Sequence, residues 1–270
     1  MLKPYDVTLE RLPSPLFKFL RVVRLIFPRA VRARARDLLF QWLSLTWDLS
    51  FGLRARVCNW GDWIIYNEIF VRGEYDRALS IALDSTDGSA IHIVDIGGNV
   101  GFFTLRAVQR LRERRGASCE FTITAVEANA RCAGEFQARI LGENELSPHV
   151  TLVHGLVGER TGAGDFYENS IFSGLNGNGG RGVRVPYVDL SSLLQSLPRI
   201  DLLKCDIEGA ELLLIENYPD LLQKVRVAVF EFHDDLCDTA RCKALLREYG
   251  FTHHETFRPG RPYSIYGAWR

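Results

Sequence analysis

From residue 91 onward, short apolar runs alternate with amphipathic stretches. Runs at 91–94, 121–126, 150–153, 200–204 and 225–232 have the length and continuity of strands buried on both faces. Between them, residues 102–114, 130–141, 190–197 and 210–217 read as helices. This alternation predicts βαβ units, and so an α/β fold with a mostly parallel sheet and helices on both faces. Near the C-terminus, 251–257 and 263–269 flank Arg258-Pro259-Gly260-Arg261-Pro262 and predict a closing antiparallel pair. Ahead of the alternating region, Pro13-Ser14-Pro15 opens a helix over 13–27 that Pro28 stops. A second helix is expected over 30–48.

Composition sharpens this picture in two places. The chain has 270 residues, 47% of them hydrophobic, enough for a large core with an appendage. Its 33 basic and 33 acidic residues balance but are unevenly placed. Residues 1–56 carry 11 Lys/Arg against 4 Asp/Glu, whereas residues 57–270 carry 22 against 29. The N-terminal segment is therefore expected to be a separate unit, residues 1–62, basic and helical. Its Lys18, Arg21 and Arg24 form one stripe, read either as a solvated helix face or as a weak membrane-surface contact through residues 13–48. No secretory signal is evident, and the apolar stretch at 16–27 is too short to span a bilayer. The six scattered cysteines lack zinc spacing and suggest a reduced, cytoplasmic protein, with Cys237 and Cys242 the one pair able to cross-link. An acidic core without a stacking module argues against nucleic acid as partner.

The chemistry is expected at the carboxyl ends of the strands, where open α/β sheets bind ligands. The first strand ends in Asp95-Ile96-Gly97-Gly98-Asn99-Val100-Gly101, a turn short of side chains that leads into a helix. It lacks the Gly-x-Gly-x-x-Gly spacing of dinucleotide sites. Its glycines are expected to let a ligand approach closely, and the free N–H groups of the helix N-terminus that follows to favour an anion. The second strand ends at Glu127, an acid suited to a ribose diol, and His154-Gly155-Leu156-Val157-Gly158 could border a base. After the fourth strand, Lys204, Asp206 and Glu208 alternate, so all three are expected to face the cleft mouth. The fifth ends in Glu231-Phe232-His233, with His233 a candidate base.

Taken together, these motifs resemble the FkbM family of methyltransferases that use S-adenosylmethionine. The resemblance rests on Val94-Asp95-Ile96-Gly97-Gly98-Asn99-Val100-Gly101-Phe102-Phe103, Val126-Glu127-Ala128-Asn129, Ser173-Gly174-Leu175, Leu203-Lys204-Cys205-Asp206-Ile207-Glu208-Gly209-Ala210-Glu211 and Val229-Phe230-Glu231-Phe232-His233. The stretch Ile69-Phe70-Val71-Arg72-Gly73-Glu74-Tyr75-Asp76 adds to it, and coverage runs from about residue 63 to 257. Two departures stand out: Gly98 where the family more often has Ala, and Ala128 where Pro is common, a loss expected to loosen the loop after Glu127.

The resemblance implies a class I methyltransferase domain over residues 63–270, with a Rossmann-like, seven-stranded sheet. It implies methyl transfer from S-adenosylmethionine to a hydroxyl of a small molecule such as a sugar or natural product. Asp95, Gly97, Gly98, Asn99 and Gly101 would hold the methionyl end and Glu127 the ribose, with Asp206 near the sulfonium and acceptor. The expected reaction is an in-line displacement, in which Asp206, His233 or Glu208 takes the hydroxyl proton. Lys204 would steady the oxyanion or keep Asp206 ionised, and Mg²⁺ on Asp206 and Glu208 is the alternative. The competing reading is a membrane-peripheral or scaffold protein with a non-catalytic sheet, drawn from the basic N-terminal segment.

Overall fold

A computed structural model describes residues 45–86, 89–168, 181–260 and 263–270, together with Val31 and Arg34. The helix expected over 13–27, nearly all of that over 30–44, Ser173-Gly174-Leu175 and most of the loop 169–182, read as a glycine-rich lid, lie outside the described residues.

The expected sheet is present. Strands β3 (Ile91–Ile96), β4 (Phe121–Glu127), β5 (Val150–His154), β8 (Ile200–Cys205), β9 (Val225–His233), β10 (His253–Arg258) and β11 (Tyr263–Trp269) form one seven-stranded sheet in the order β10-β11-β9-β8-β3-β4-β5. Among these described strands, β11 alone runs against its neighbours, pairing antiparallel with both β9 and β10. The order reverses between β3 and β8: the chain leaves β3 toward β4 and leaves β8 toward β9. A crevice opens at such a switch point beyond the strand tips.

Helices cover both faces. Alternation along each strand splits the core in two. Ile93, Leu202 and Val229 pack on one side with Phe102, Phe103 and Val108 of α3 (Phe102–Arg115). Val94, Leu203 and Phe230 pack on the other with Leu214 and Leu246. Those two leucines belong to α6 (Glu211–Asn217) and α8 (Thr239–Glu248). Burial on both sides is why these strands read as continuous apolar runs. The stretch 130–141 forms α4 (Ala130–Glu135), continued by a π-helical turn over Phe136–Gly142; α5 (Leu190–Leu193) and α7 (Pro219–Gln223) are short.

Several elements depart from expectation. The helix predicted through residue 48 gives way to β1 (Leu45–Asp48), paired antiparallel with β2 (Arg54–Val57). Trp47, Leu53, Ala55 and Val57 are buried in the same core as the sheet, and Trp47 stacks on Tyr66 at 4.5 Å. A short apolar run does not distinguish strand from helix by period, and tertiary burial of Trp47 decides it. Next, α1 (Trp60–Tyr66) passes into a π-helical turn over Asn67–Val71, followed by α2 (Asp76–Asp84). Asn59 caps α1 by accepting the Asp62 N–H at 2.9 Å, and buried Asp62 pairs with buried Arg139 at 2.6 Å, clamping α1 to the π-helical turn that follows α4. An antiparallel hairpin of β6 (Ala163–Glu168) and β7 (Arg181–Pro186) stands beyond β5.

Candidate active site

The turn after β3 is held by its own backbone. The N–H groups of Gly97 and Gly98 both donate to the Val126 carbonyl, at 2.9 and 3.0 Å. The Asn99 N–H donates to Glu127 Oε2 at 2.7 Å, Val100 to Asn99 Oδ1 at 2.8 Å and Gly101 to the Gly98 carbonyl at 2.9 Å. All five N–H groups of the turn are thus taken up within the protein, three by the tip of β4 and two by the turn itself. The glycines also have an internal cause. Gly97 has φ +76°, and a Cβ there would lie 1.7 Å from the carbonyl oxygen of Asp206; at Gly101, φ +87°, it would meet Phe136 at 2.5 Å. The tight approach at Gly97 is made by the tip of β8.

Asp95 and Lys204 lie beneath this turn. Fully buried Asp95 accepts the Thr104 hydroxyl at 2.8 Å and faces Lys204 Nζ at 3.4 Å. Lys204 Nζ donates to the Gly97 carbonyl at 2.5 Å and lies 3.6 Å from Asp206 Oδ2. Burial acts to lower the lysine's proton affinity, but the Asp95 and Asp206 charges outweigh it and raise it. Burial raises that of Asp95, against the lowering effect of Lys204. Lys204 therefore points inward, and the expectation that it shares the cleft mouth with Asp206 and Glu208 is corrected. Period-two alternation ends with β8 at Cys205, and Glu208 takes a left-handed φ of 52°. The carboxylate of Glu211, fully buried, accepts the Ile207 and Gly209 N–H groups at 3.1–3.2 Å and holds this irregular loop.

A cleft of about 1010 Å³, including its open mouth, lies over these strand tips. Gly97, Asn99, Glu127, Asp206 and Glu208 line it, with Val126, Leu156, Val157, Phe166 and Ile207 as apolar walls. Residues 155–157 are where the sequence placed the border of a base. Phe166 and Ile65 come from a hairpin and a helix that sequence reasoning did not assign. Glu127 Oε1 accepts the Asn129 N–H at 2.6 Å, so each of its oxygens holds one backbone N–H. Burial raises its proton affinity; the two N–H groups oppose this. The loop at Ala128 is secured without proline: His154 Nε2 lies 3.0 Å from the Ala128 carbonyl, and Asn129 caps α4.

Behind Glu208 lies a second layer. His233 Nε2 is 3.4 Å from Glu208 Oε2 and 3.7 Å from Glu231 Oε1. Glu231 Oε2 accepts the hydroxyl of buried Tyr75 at 2.9 Å. His233 is buried, its Nδ1 has no hydrogen-bond partner among the described residues, and the ring does not line the cleft. Burial, reinforced by Asp206, pushes the Glu208 carboxyl up to about 8; the same causes push Glu231 well above its usual value. Tyr75 escaped sequence reasoning. Glu231 carried a signal, as the acid in the otherwise apolar run Val229-Phe230-Glu231-Phe232. Among the described residues, no group of three or more His, Cys, Asp or Glu side chains is arranged to hold a metal ion. Nor, among them, is any helix long and apolar enough to cross a membrane.

The family model described as the methyltransferase FkbM domain matches residues 95–252. No curated protein sequence gives a significant match. Among solved structures, the methyltransferase domain of METTL16 is 14% identical, covering 90% of this chain and 92% of its own, with TM-score 0.49. Aeropyrum pernix fibrillarin with natively bound S-adenosyl-L-methionine is 11% identical over 83% and 82%, TM-score 0.45. Magnesium protoporphyrin IX methyltransferase from Synechocystis PCC 6803, with bound SAM, is 12% identical over 79% and 85%, TM-score 0.44.

Proposed function

The chain belongs to the methyltransferase FkbM domain family, and from that premise we propose that it moves the methyl group of S-adenosylmethionine to a hydroxyl oxygen of a small molecule, such as a sugar or natural product. The observation that carries this reading is the Glu127 carboxylate at the cleft wall. Each oxygen is fixed by one N–H and keeps a lone-pair direction for a further donor, as a ribose diol requires. The cleft fits the rest of the cofactor by chemistry. Val126, Leu156, Val157 and Phe166 offer apolar surface for a base, and Asp206 offers a carboxylate for a sulfonium or an ammonium. When bound, S-adenosylmethionine supplies an electrophilic methyl carbon.

The remaining work falls to this chain. A hydroxyl is a weak nucleophile, so its proton must leave as the new bond forms. Asp206 and Glu208 line the cleft and can meet the acceptor. At neutral pH Glu208 retains its own proton, which makes Asp206 the acceptor of the substrate proton. His233 acts through Glu208, as a positioning residue whose Nε2 lies 3.4 Å from its carboxyl. Lys204 supplies the charge that compensates Asp206 from behind and does not reach the cleft. Asp95 positions the turn through Thr104 and Lys204.

Calorimetry with S-adenosylhomocysteine tests the cofactor assignment: Glu127→Ala should weaken binding by about 10- to 100-fold, the scale of one or two lost hydrogen bonds. Equal affinity in both proteins would remove Glu127 from the site. Turnover of S-adenosylmethionine carrying a ¹³C methyl group over a panel of hydroxylated acceptors should yield a methoxy carbon resonance. Product labelled only at nitrogen or carbon would overturn O-methylation.

A further inference from the structure

Outside the cleft, two cysteines that the proposed reaction does not use stand in contact. Cys237 Sγ and Cys242 Sγ are 3.4 Å apart, and all six cysteines are free thiols. The pair brackets the start of α8. Cys237 precedes the capping residue Asp238, whose side chain accepts the Arg241 N–H at 2.9 Å; Cys242 is fully buried one turn into the helix. Cys237 is half-buried and Cys242 is buried, so Cys237 is the more accessible residue of the two. We propose that Cys237 and Cys242 form a peroxide-reactive dithiol, in which Cys237 is the attacking sulfur and Cys242 the resolving one.

Three features support these roles. A thiol just ahead of a helix N-terminus sits in the positive end of the helix dipole, which favours thiolate, the reactive form. The hydrogen bond with Cys242 lowers the proton affinity of Cys237, with burial and Glu211 opposing. Two of the other three half-buried thiols differ: burial raises Cys119, and pushes Cys132 up to about 12. A disulfide needs the sulfurs at about 2.05 Å, a closure of little more than an ångström from contact. Cys242 is fixed in α8, so that movement falls on residues 234–237. This turn hangs on His233, whose carbonyl accepts the Leu236 and Cys237 N–H groups at 2.9 and 3.0 Å.

The chemistry balances with hydrogen peroxide as the oxidant. Cys237 sulfur attacks one peroxide oxygen, the O–O bond breaks, and the protein gains S–OH while one water leaves with the thiol proton. Cys242 sulfur then attacks Cys237 sulfur and displaces the hydroxyl, which leaves as a second water with the Cys242 proton. Two thiols are oxidised to one disulfide, and the peroxide is reduced to two waters.

The test treats the native full-length protein with increasing hydrogen peroxide, blocks residual thiols with iodoacetamide and maps peptides by mass spectrometry. A peptide bridged between Cys237 and Cys242, lighter by about 2 Da, should form before Cys119 or Cys132 is oxidised and should disappear with dithiothreitol. Cys242→Ser should leave a Cys237 sulfenic acid that dimedone captures. Cys237→Ser should lose both bridge and adduct. Oxidation of Cys119 or Cys132 ahead of this pair, or absence of the bridged peptide in the native protein, would overturn the proposal.

Discussion

On the β3–β4 side of the cleft, every N–H from Gly97 to Gly101 has an acceptor within the protein, and each Glu127 oxygen holds one backbone N–H. On the β8–β9 side, Asp206, Glu208 and Glu231 crowd around Lys204 and His233. The first side is set by backbone geometry, with its polar groups paired. The second carries carboxyls that burial and mutual repulsion push toward the protonated form. A binding surface gains from such rigidity. A surface that must accept and release a proton gains from groups whose proton affinities lie near the working pH.

The comparison breaks most severely where the two sides touch. Gly97→Ala sets a methyl group against the Asp206 carbonyl in a backbone conformation that alanine disfavours. We expect a loss of about 3 kcal/mol or more in urea denaturation, together with loss of S-adenosylhomocysteine binding. A stable variant that still binds would show that the tips of β3 and β8 move apart freely.

Next in size is the charge on the β8–β9 side. The folded-state value of Glu208, about 8, lies above the ordinary 4.5. The folded protein therefore holds an extra proton between these values, and stability should fall as pH rises through that window. Glu208→Gln removes this dependence and should raise stability at pH 8.5 by on the order of 2 kcal/mol relative to wild type, with little difference near pH 4.5. Matched denaturation curves at the two pH values check both sign and size. Tyr75→Phe perturbs the same side more gently. Loss of one hydrogen bond to Glu231 should slow turnover by about fivefold and shift the pH–rate profile upward, with KM for S-adenosylmethionine unchanged. A purely structural role for Tyr75 would leave the profile in place.

The smallest effect belongs to the quiet side. Gly98 has ordinary negative-φ geometry, and an added Cβ would meet the Phe136 ring at 3.0 Å and the Ala125 side chain at 3.7 Å. Gly98→Ala should change stability by less than about 1 kcal/mol and leave cofactor affinity intact. A large loss would show that Phe136 cannot yield, extending the rigid side of the cleft into the π-helical turn after α4.

Much of the fold was legible because its strands are buried on both faces and its connections are helical. Ile91–Ile96 and Ile200–Cys205 fall where continuous apolar runs predict them. Glu127, Asp206 and Glu208 line the cleft because residues at strand tips gather wherever a parallel sheet ends. The failures have physical causes as well. Lys204 was expected to share a side with Glu208, but alternation lasts only as long as the strand. Tyr75 reaches Glu231 across 156 residues, a distance no local pattern encodes. Asp95 and the turn glycines look like ligand contacts in one dimension. In three, Asp95 is buried against Lys204 and Thr104, while Gly97 is pressed by the tip of β8 and also lines the cleft.

The amino-acid sequence by itself determined the alternation of strands and helices, the family, and the positions where charge arrives at the rim. Hydrophobic period and backbone chemistry are local properties that each segment carries with it. The tertiary structure alone decided which charges face solvent, which are locked beneath the turn, and which thiols meet. Those outcomes depend on the close approach of groups from distant segments, and on the competition between burial and pairing that such proximity creates.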